Sequence, residues 1–193
     1  MKNIPKTIII HCTAYPDSKL HDQLEACNGW HKDRDFPLSD LNWYTGYHSL
    51  ITGGRNYRTR KDEEVGAHCN QSENGLSMNF QSLGVCVGFD GDVEDVSAEH
   101  FNLLKKQVQD WQDMYNIPNS KVVFHRYYAT NKSCPGGRIK SDFLVKVLDR
   151  TKPPVIIQDI PIQPSMCVAE KETIEKLKAQ VSWYESLLKI FKK

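Results

Sequence analysis

The spacing of apolar residues along the chain changes several times, and each change marks an element. Thr7 to His11 is a short β-branched run, the pattern of a buried strand. Leu20, Leu24, Cys27 and Trp30 or His31 then recur at helical spacing, with Asp17 and Ser18 as candidate caps and Phe36-Pro37 as the stop. Tyr47 to Thr52 reads as a strand, and Gly53-Gly54 turns it into a second one near Asn56 to Thr59. Gln81 to Phe89 is another strand, closed by Asp90-Gly91. Ser97 caps a strongly amphipathic helix whose stripe is Phe101, Leu104, Val108, Trp111 and Tyr115, ended by Asn116-Ile117-Pro118. Lys121 to His125 is the next strand, and Ser141 opens a helix that uses Phe143, Leu144, Val147 and Leu148. This alternation predicts an α/β fold, a central mixed β-sheet flanked by helices.

That domain is expected to span residues 1–152. Residues 153–168 hold Pro153, Pro154, Pro161 and Pro164 and read as an extended, proline-rich linker. Residues 169–193 predict one amphipathic C-terminal helix, with Ile174, Leu177, Val181, Tyr184, Leu188 and Phe191 at coiled-coil spacing. Lys189, Lys192 and Lys193 make its end basic. Such a helix could dock on its own domain, self-associate or rest on an anionic membrane.

Composition narrows the classes. The 193 residues are 39% hydrophobic and 25% charged, with a net charge of +1, so the basic excess expected of a nucleic-acid binder is missing. No apolar run approaches the ~20 residues of a transmembrane helix. Ile8, Ile9 and Ile10 are followed at once by His11, shorter than the roughly 7–15 apolar residues of a secretory signal. Residence in the cytoplasm is therefore expected, and with it reduced thiols for the six cysteines.

Three reactive side chains fall at the ends of predicted strands or in the loops that follow. His11 closes the first strand, His125 closes the strand Val122-Val123-Phe124, and Cys134 lies in the loop that follows it. Two imidazoles and a thiolate form a tetrahedral zinc set with one position left to water. The spacing forms no local motif, so two core histidines and an unrelated loop cysteine remain the other reading.

Further segments recur around these residues: Ile10-His11-Cys12-Thr13-Ala14, Trp30-His31-Lys32, Gly46-Tyr47-His48, Val65-Gly66-Ala67-His68, Ser82-Leu83-Gly84-Val85-Cys86-Val87-Gly88, and His125 with Lys132-Ser133-Cys134-Pro135. In this order they resemble the zinc-dependent N-acetylmuramoyl-L-alanine amidases of the amidase-2 group, which includes phage endolysins and peptidoglycan recognition proteins. The resemblance covers about residues 6–150. It implies one Zn2+ held by His11, His125 and Cys134, catalytic roles for Tyr47 and Lys132, and a peptidoglycan groove lined by His68 and Asn79. It also implies hydrolysis of the amide between N-acetylmuramic acid and L-alanine, with an endolysin held in the host cytoplasm until release. The polar stretch Asn70 to Gln81 departs from the family pattern and is expected in the groove wall. Other readings are a non-catalytic peptidoglycan-recognition module, a cytoplasmic muropeptide-recycling amidase, and a cysteine peptidase with Cys134 as nucleophile and His125 as base.

Overall fold

The computed structural model describes residues 2–151. The linker expected over 153–168 and the helix expected over 169–193, with its proposed self-association or membrane contact, lie outside the described residues. Among the described residues no helix is long and apolar enough to cross a membrane.

A five-stranded sheet forms the centre. Its strands are β1 (Thr7–Cys12), β2 (Ser49–Thr52), β3 (Arg55–Arg58), β6 (Ser82–Val87) and β7 (Val122–Phe124), in the order β3-β2-β6-β1-β7. β1 pairs in parallel with β6 and β7, and β2 in parallel with β6; only the β2–β3 hairpin is antiparallel. The sheet is therefore mixed, as the alternation predicts. The polar stretch 70–81 folds as a small hairpin, β4 (Ser72–Glu73) with β5 (Leu76–Ser77), and one 3-10 turn over Met78–Phe80.

Side chains of a strand alternate between its two faces, and the two faces of this sheet have different work. Ile8, Ile10 and Cys12 of β1 join Leu83, Val85 and Val87 of β6 in the larger core. Helix α2 (Ala98–Tyr115) closes that side with Leu104, Val108 and Trp111, each at most 1% exposed. Burying each of these contributes roughly 1.5–3 kcal/mol. Ser97 accepts the His100 N–H and caps the helix, which ends at Asn116 in the left-handed conformation, φ 53°. Helix α4 (Ser141–Leu148) adds Val147, Phe143 and Leu144 to the same core. On the other face lie Ile9 and His11 of β1 and Cys86 of β6, with Leu24 and Cys27 of helix α1 (Leu24–Lys32) packed on Cys86 and Leu50.

Several boundaries differ from expectation: β2 starts at Ser49, so Tyr47 precedes the strand, and β6 spans Ser82–Val87 rather than Gln81 to Phe89. Helix α1 starts at Leu24 with Gln23 before it, not at Asp17 and Ser18. Asp17 instead contacts His21, 3.0 Å away, and Asp22 Oδ1 accepts the Leu24 N–H. His125 does not close β7. It is the first residue of a one-turn helix, α3 (His125–Tyr128), so the strand ends at Phe124.

Candidate metal centre

Parallel strands align their carboxyl ends, and that edge of an α/β sheet is where ligands usually bind. Here β1 and β7 are neighbours, so His11 near the end of one and His125 just past the end of the other converge. Their rings lie 4.4 Å apart, centroid to centroid. The loop after α3 returns Cys134 to the same place, with its Sγ 3.9 Å from His11 Nδ1. One ligand atom from each of His11, His125 and Cys134 lies within 4.8 Å of the other two.

The loop carrying Cys134 is fixed by Arg126, the residue after His125. Its backbone N–H donates to the Cys134 carbonyl at 2.9 Å. Its guanidinium donates to the carbonyls of Ser133 (3.1 Å), Gly136 (2.8 Å) and Ile139. From the other side Asp92 accepts the Ser133 hydroxyl and the Gly137 N–H, both at 2.6 Å. Gly136 sits at φ 121° against Gly91, where an added Cβ would fall 2.0 Å from the Gly91 carbonyl carbon. Only glycine fits that approach.

The donor set suits a metal. Burial holds His11 well below the usual histidine range, and the charges of His125, His68 and Lys132 act in the same direction. Burial, then Lys132, pushes His125 down to about 4. Both imidazoles are therefore neutral near pH 7, each with a lone pair to offer. Without a metal the Cys134 thiol is pushed up, first by the Cys12 thiol beside it and then by burial. A divalent cation reverses that preference, because a coordinating thiol is deprotonated outright. The Cys12 backbone N–H, 3.5 Å from Cys134 Sγ, is placed to donate to such a thiolate.

His11 is oriented from behind. For Nδ1, which faces Cys134, to serve a metal, Nε2 has to carry the ring proton, and it lies 3.1 Å from His68 Nδ1. His68 is placed to accept that proton and so to favour the tautomer that frees Nδ1. The His68 ring lies on the backbone of Gly84 in β6 and on Gly66, where an added Cβ would fall 2.6 Å and 2.5 Å from it. Its Nε2 is buried without a hydrogen-bond partner.

The remaining residues singled out from the sequence fall around this centre. The Tyr47 ring lies 5.1 Å from His11, and burial raises its phenol well above the usual range, so it stays a proton donor. Lys132 is exposed on the loop before Cys134, near enough for its charge to act on both histidines. Asn79 Oδ1 accepts the backbone N–H groups of His68 (2.9 Å) and Cys69 (2.8 Å). The contacts of His68 and Asn79 are thus to the protein's own groups. Arg126 and Asp92 were not singled out from the sequence. The one signal for Arg126 is its position beside His125. His31 is a further support: its Nδ1 accepts the Gly46 N–H at 2.9 Å, and its ring lies 5.3 Å from Tyr47. The five cysteines among the described residues are all free thiols.

Solved structures of similar fold include LysC, an N-acetylmuramoyl-L-alanine amidase from Clostridium intestinale URNW. It is 22% identical with a TM-score of 0.59, over 75% of this chain and 85% of that one. The endolysin of Thermus scotoductus MAT2119 bacteriophage Ph2119 is 19% identical with a TM-score of 0.56, over 74% and 84%. Drosophila PGRP-LB, solved in complex with tracheal cytotoxin, is 22% identical with a TM-score of 0.56, over 74% and 80%. At these identities the likeness is one of fold. A search of curated proteins found no match. The family profile described as N-acetylmuramoyl-L-alanine amidase matches residues 1–137, most of the chain and both histidines and the cysteine of the centre. The chain belongs to the Amidase_2 family of N-acetylmuramoyl-L-alanine amidases.

Proposed function

We propose that the chain hydrolyses peptidoglycan with one Zn2+ held by His11, His125 and Cys134, cutting the amide between N-acetylmuramic acid and L-alanine. The observation that carries this is the convergence of three deprotonatable or neutral donor atoms within 4.8 Å at the carboxyl edge of the sheet. Bound there, zinc would supply a Lewis acid and an activated water. Tyr47, a neutral phenol beside His11, donates a hydrogen bond to the oxygen that gains charge. Lys132 supplies a positive charge to the same oxygen from the open side. Removing one such donor typically costs about 10²–10³ in rate. His68 and Asn79 act one layer out, His68 by orienting His11 and Asn79 by holding the His68 backbone.

Cys134 meets both His11 and His125 at one point, whereas a cysteine nucleophile with His125 as its base leaves His11 without a role. The geometry therefore favours the amidase over the cysteine-peptidase reading. The presence of Cys134, Tyr47 and Lys132 together favours it over recognition alone. Likeness in fold to a bacteriophage endolysin supports a role in host lysis, the protein waiting in the host cytoplasm before it reaches the wall. Purified sacculi digested with the full chain should yield muramic acid lactyl ends and peptides with free L-alanine amino termini by mass spectrometry. Chelation should stop the digestion and zinc restore it. Cleavage at another bond, or activity indifferent to chelators, would refute the reading.

A further inference from the structure

His11 and Cys12 are consecutive in β1, so their side chains leave opposite faces of the sheet. Cys134 lies across the end of that strand and reaches both. Its Sγ is 3.9 Å from His11 Nδ1 and 3.5 Å from the Cys12 backbone nitrogen. It also packs against the larger core, in which Cys12 sits 7% exposed. The two thiols stand close enough for each to shift the other's acidity. The other described thiols, Cys27, Cys69 and Cys86, are at most 2% exposed and belong to the clusters on the opposite face.

The loop that presents Cys134 is held by its backbone. Arg126 donates to the Cys134 carbonyl and to the carbonyls around it, and Asp92 accepts from Ser133 and Gly137. These contacts leave the Cys134 side chain itself to turn between His11 and Cys12. Cys12 Sγ belongs to the residue whose nitrogen Cys134 Sγ already meets. Turning the two side chains about their Cα–Cβ bonds brings the sulfurs toward the separation of a disulfide, about 2.05 Å.

We propose that Cys12 and Cys134 form a reversible disulfide that shuts out the metal, a redox switch that rests on the centre proposed above. A sulfur in a disulfide carries no thiolate charge, so His11 and His125 alone remain, short of the three protein ligands of a catalytic zinc site. Conversely, a cation bound by Cys134 occupies the sulfur lone pair that an oxidant needs. With hydrogen peroxide as the oxidant, one sulfur of the pair attacks as thiolate, becomes a sulfenic acid and releases hydroxide. The other thiol then attacks that sulfur; its proton leaves with the sulfenic oxygen as water, and the S–S bond forms. The two sulfurs lose two electrons, which the peroxide takes up. A dithiol reductant reverses the step by exchange.

The test takes the full chain, freed of metal and reduced, then exposes it to hydrogen peroxide. Free thiols are alkylated for peptide mapping, and zinc binding is read by competition against a chromophoric chelator. Wild type should show Cys12 joined to Cys134 and lose zinc binding, and dithiothreitol should restore it. Zinc loaded before the peroxide should suppress the link. Cys12→Ala should bind zinc when reduced but, lacking the partner thiol, pass to the sulfinic acid at Cys134, which dithiothreitol does not reverse. No Cys12–Cys134 link in a wild type that binds zinc when reduced would overturn the switch alone, whether Cys134 stays a thiol, over-oxidises or joins another cysteine. Equal recovery of zinc binding in Cys12→Ala would overturn it too. Reduced wild type that binds no zinc would refute the metal centre and the switch with it.

Discussion

Replacing His68 tests whether the metal centre depends on a residue that never touches the metal. His11 can present Nδ1 only while Nε2 carries the proton, and that proton has His68 Nδ1 as its acceptor at 3.1 Å. His11 is 1% exposed, so no water replaces a lost partner. Leaving a buried donor unsatisfied costs about 1–3 kcal/mol. At about 1.4 kcal/mol per tenfold, that weakens zinc binding roughly 5- to 150-fold, which brackets the 10–100-fold typical of lost outer-shell partners. His68→Leu keeps most of the volume and removes the acceptor. His68→Gln offers an amide oxygen at similar reach. Competition against a chromophoric chelator should show zinc bound 10–100-fold more weakly by the Leu variant, with most of the loss recovered in the Gln variant. Circular dichroism should report both as folded. Zinc bound equally tightly by the Leu variant and wild type, or equally weakly by the two variants, would refute the tautomer argument.

The site predicts four further outcomes. Gly84→Ala would set a Cβ 2.6 Å from the His68 ring; overpacking of this kind costs about 1–3 kcal/mol, so chemical denaturation should show that loss together with weaker zinc binding. Arg126→Lys keeps the charge but cannot span the carbonyls of Ser133, Gly136 and Ile139; zinc affinity should fall at least tenfold by chelator competition, and an unchanged affinity would show that the loop needs no clamp. Tyr47→Phe and Lys132→Ala should each lose about 10²–10³ in sacculus hydrolysis while metal analysis still finds zinc; near-wild-type lysis in both would remove them from the mechanism. His48 is held at about 4, chiefly by burial, while the unfolded chain titrates near 6.5. The unfolded state therefore binds more protons between these values, so stability is full above about pH 6.5 and falls toward pH 4, by about 3 kcal/mol from this residue. Denaturant midpoints followed over that range should show a flatter slope in His48→Gln; parallel slopes would contradict the assignment.

How far the site could be read from the sequence depends on what kind of residue carries each part. β1 and β6 announce themselves as short, continuous apolar runs and α2 by its helical period, because a strand buried on both faces needs apolar residues throughout and an amphipathic helix needs them at fixed spacing. His11, His125 and Cys134 can be picked out as reactive side chains at or after predicted strand ends, and the family pattern joins them into one set. Their supports do not stand out. Gly84 reads as one small residue in an apolar strand, and its reason for being glycine is a ring that arrives from residue 68. His68 reads as a groove residue from the family pattern, and nothing in that pattern shows that its ring nitrogen lies 3.1 Å from His11, 57 positions away. Asp17 looks like a helix cap, since a turn-forming carboxylate ahead of an apolar stripe usually is one. It is drawn off by His21, and α1 begins seven residues later. In each case the residue type is common and its use is fixed only by a partner from another element. The proposed metal ligands are thus recognised by residue type and family pattern, which a sequence displays. The residues that hold them are chosen by distance, which appears only when the chain closes on itself.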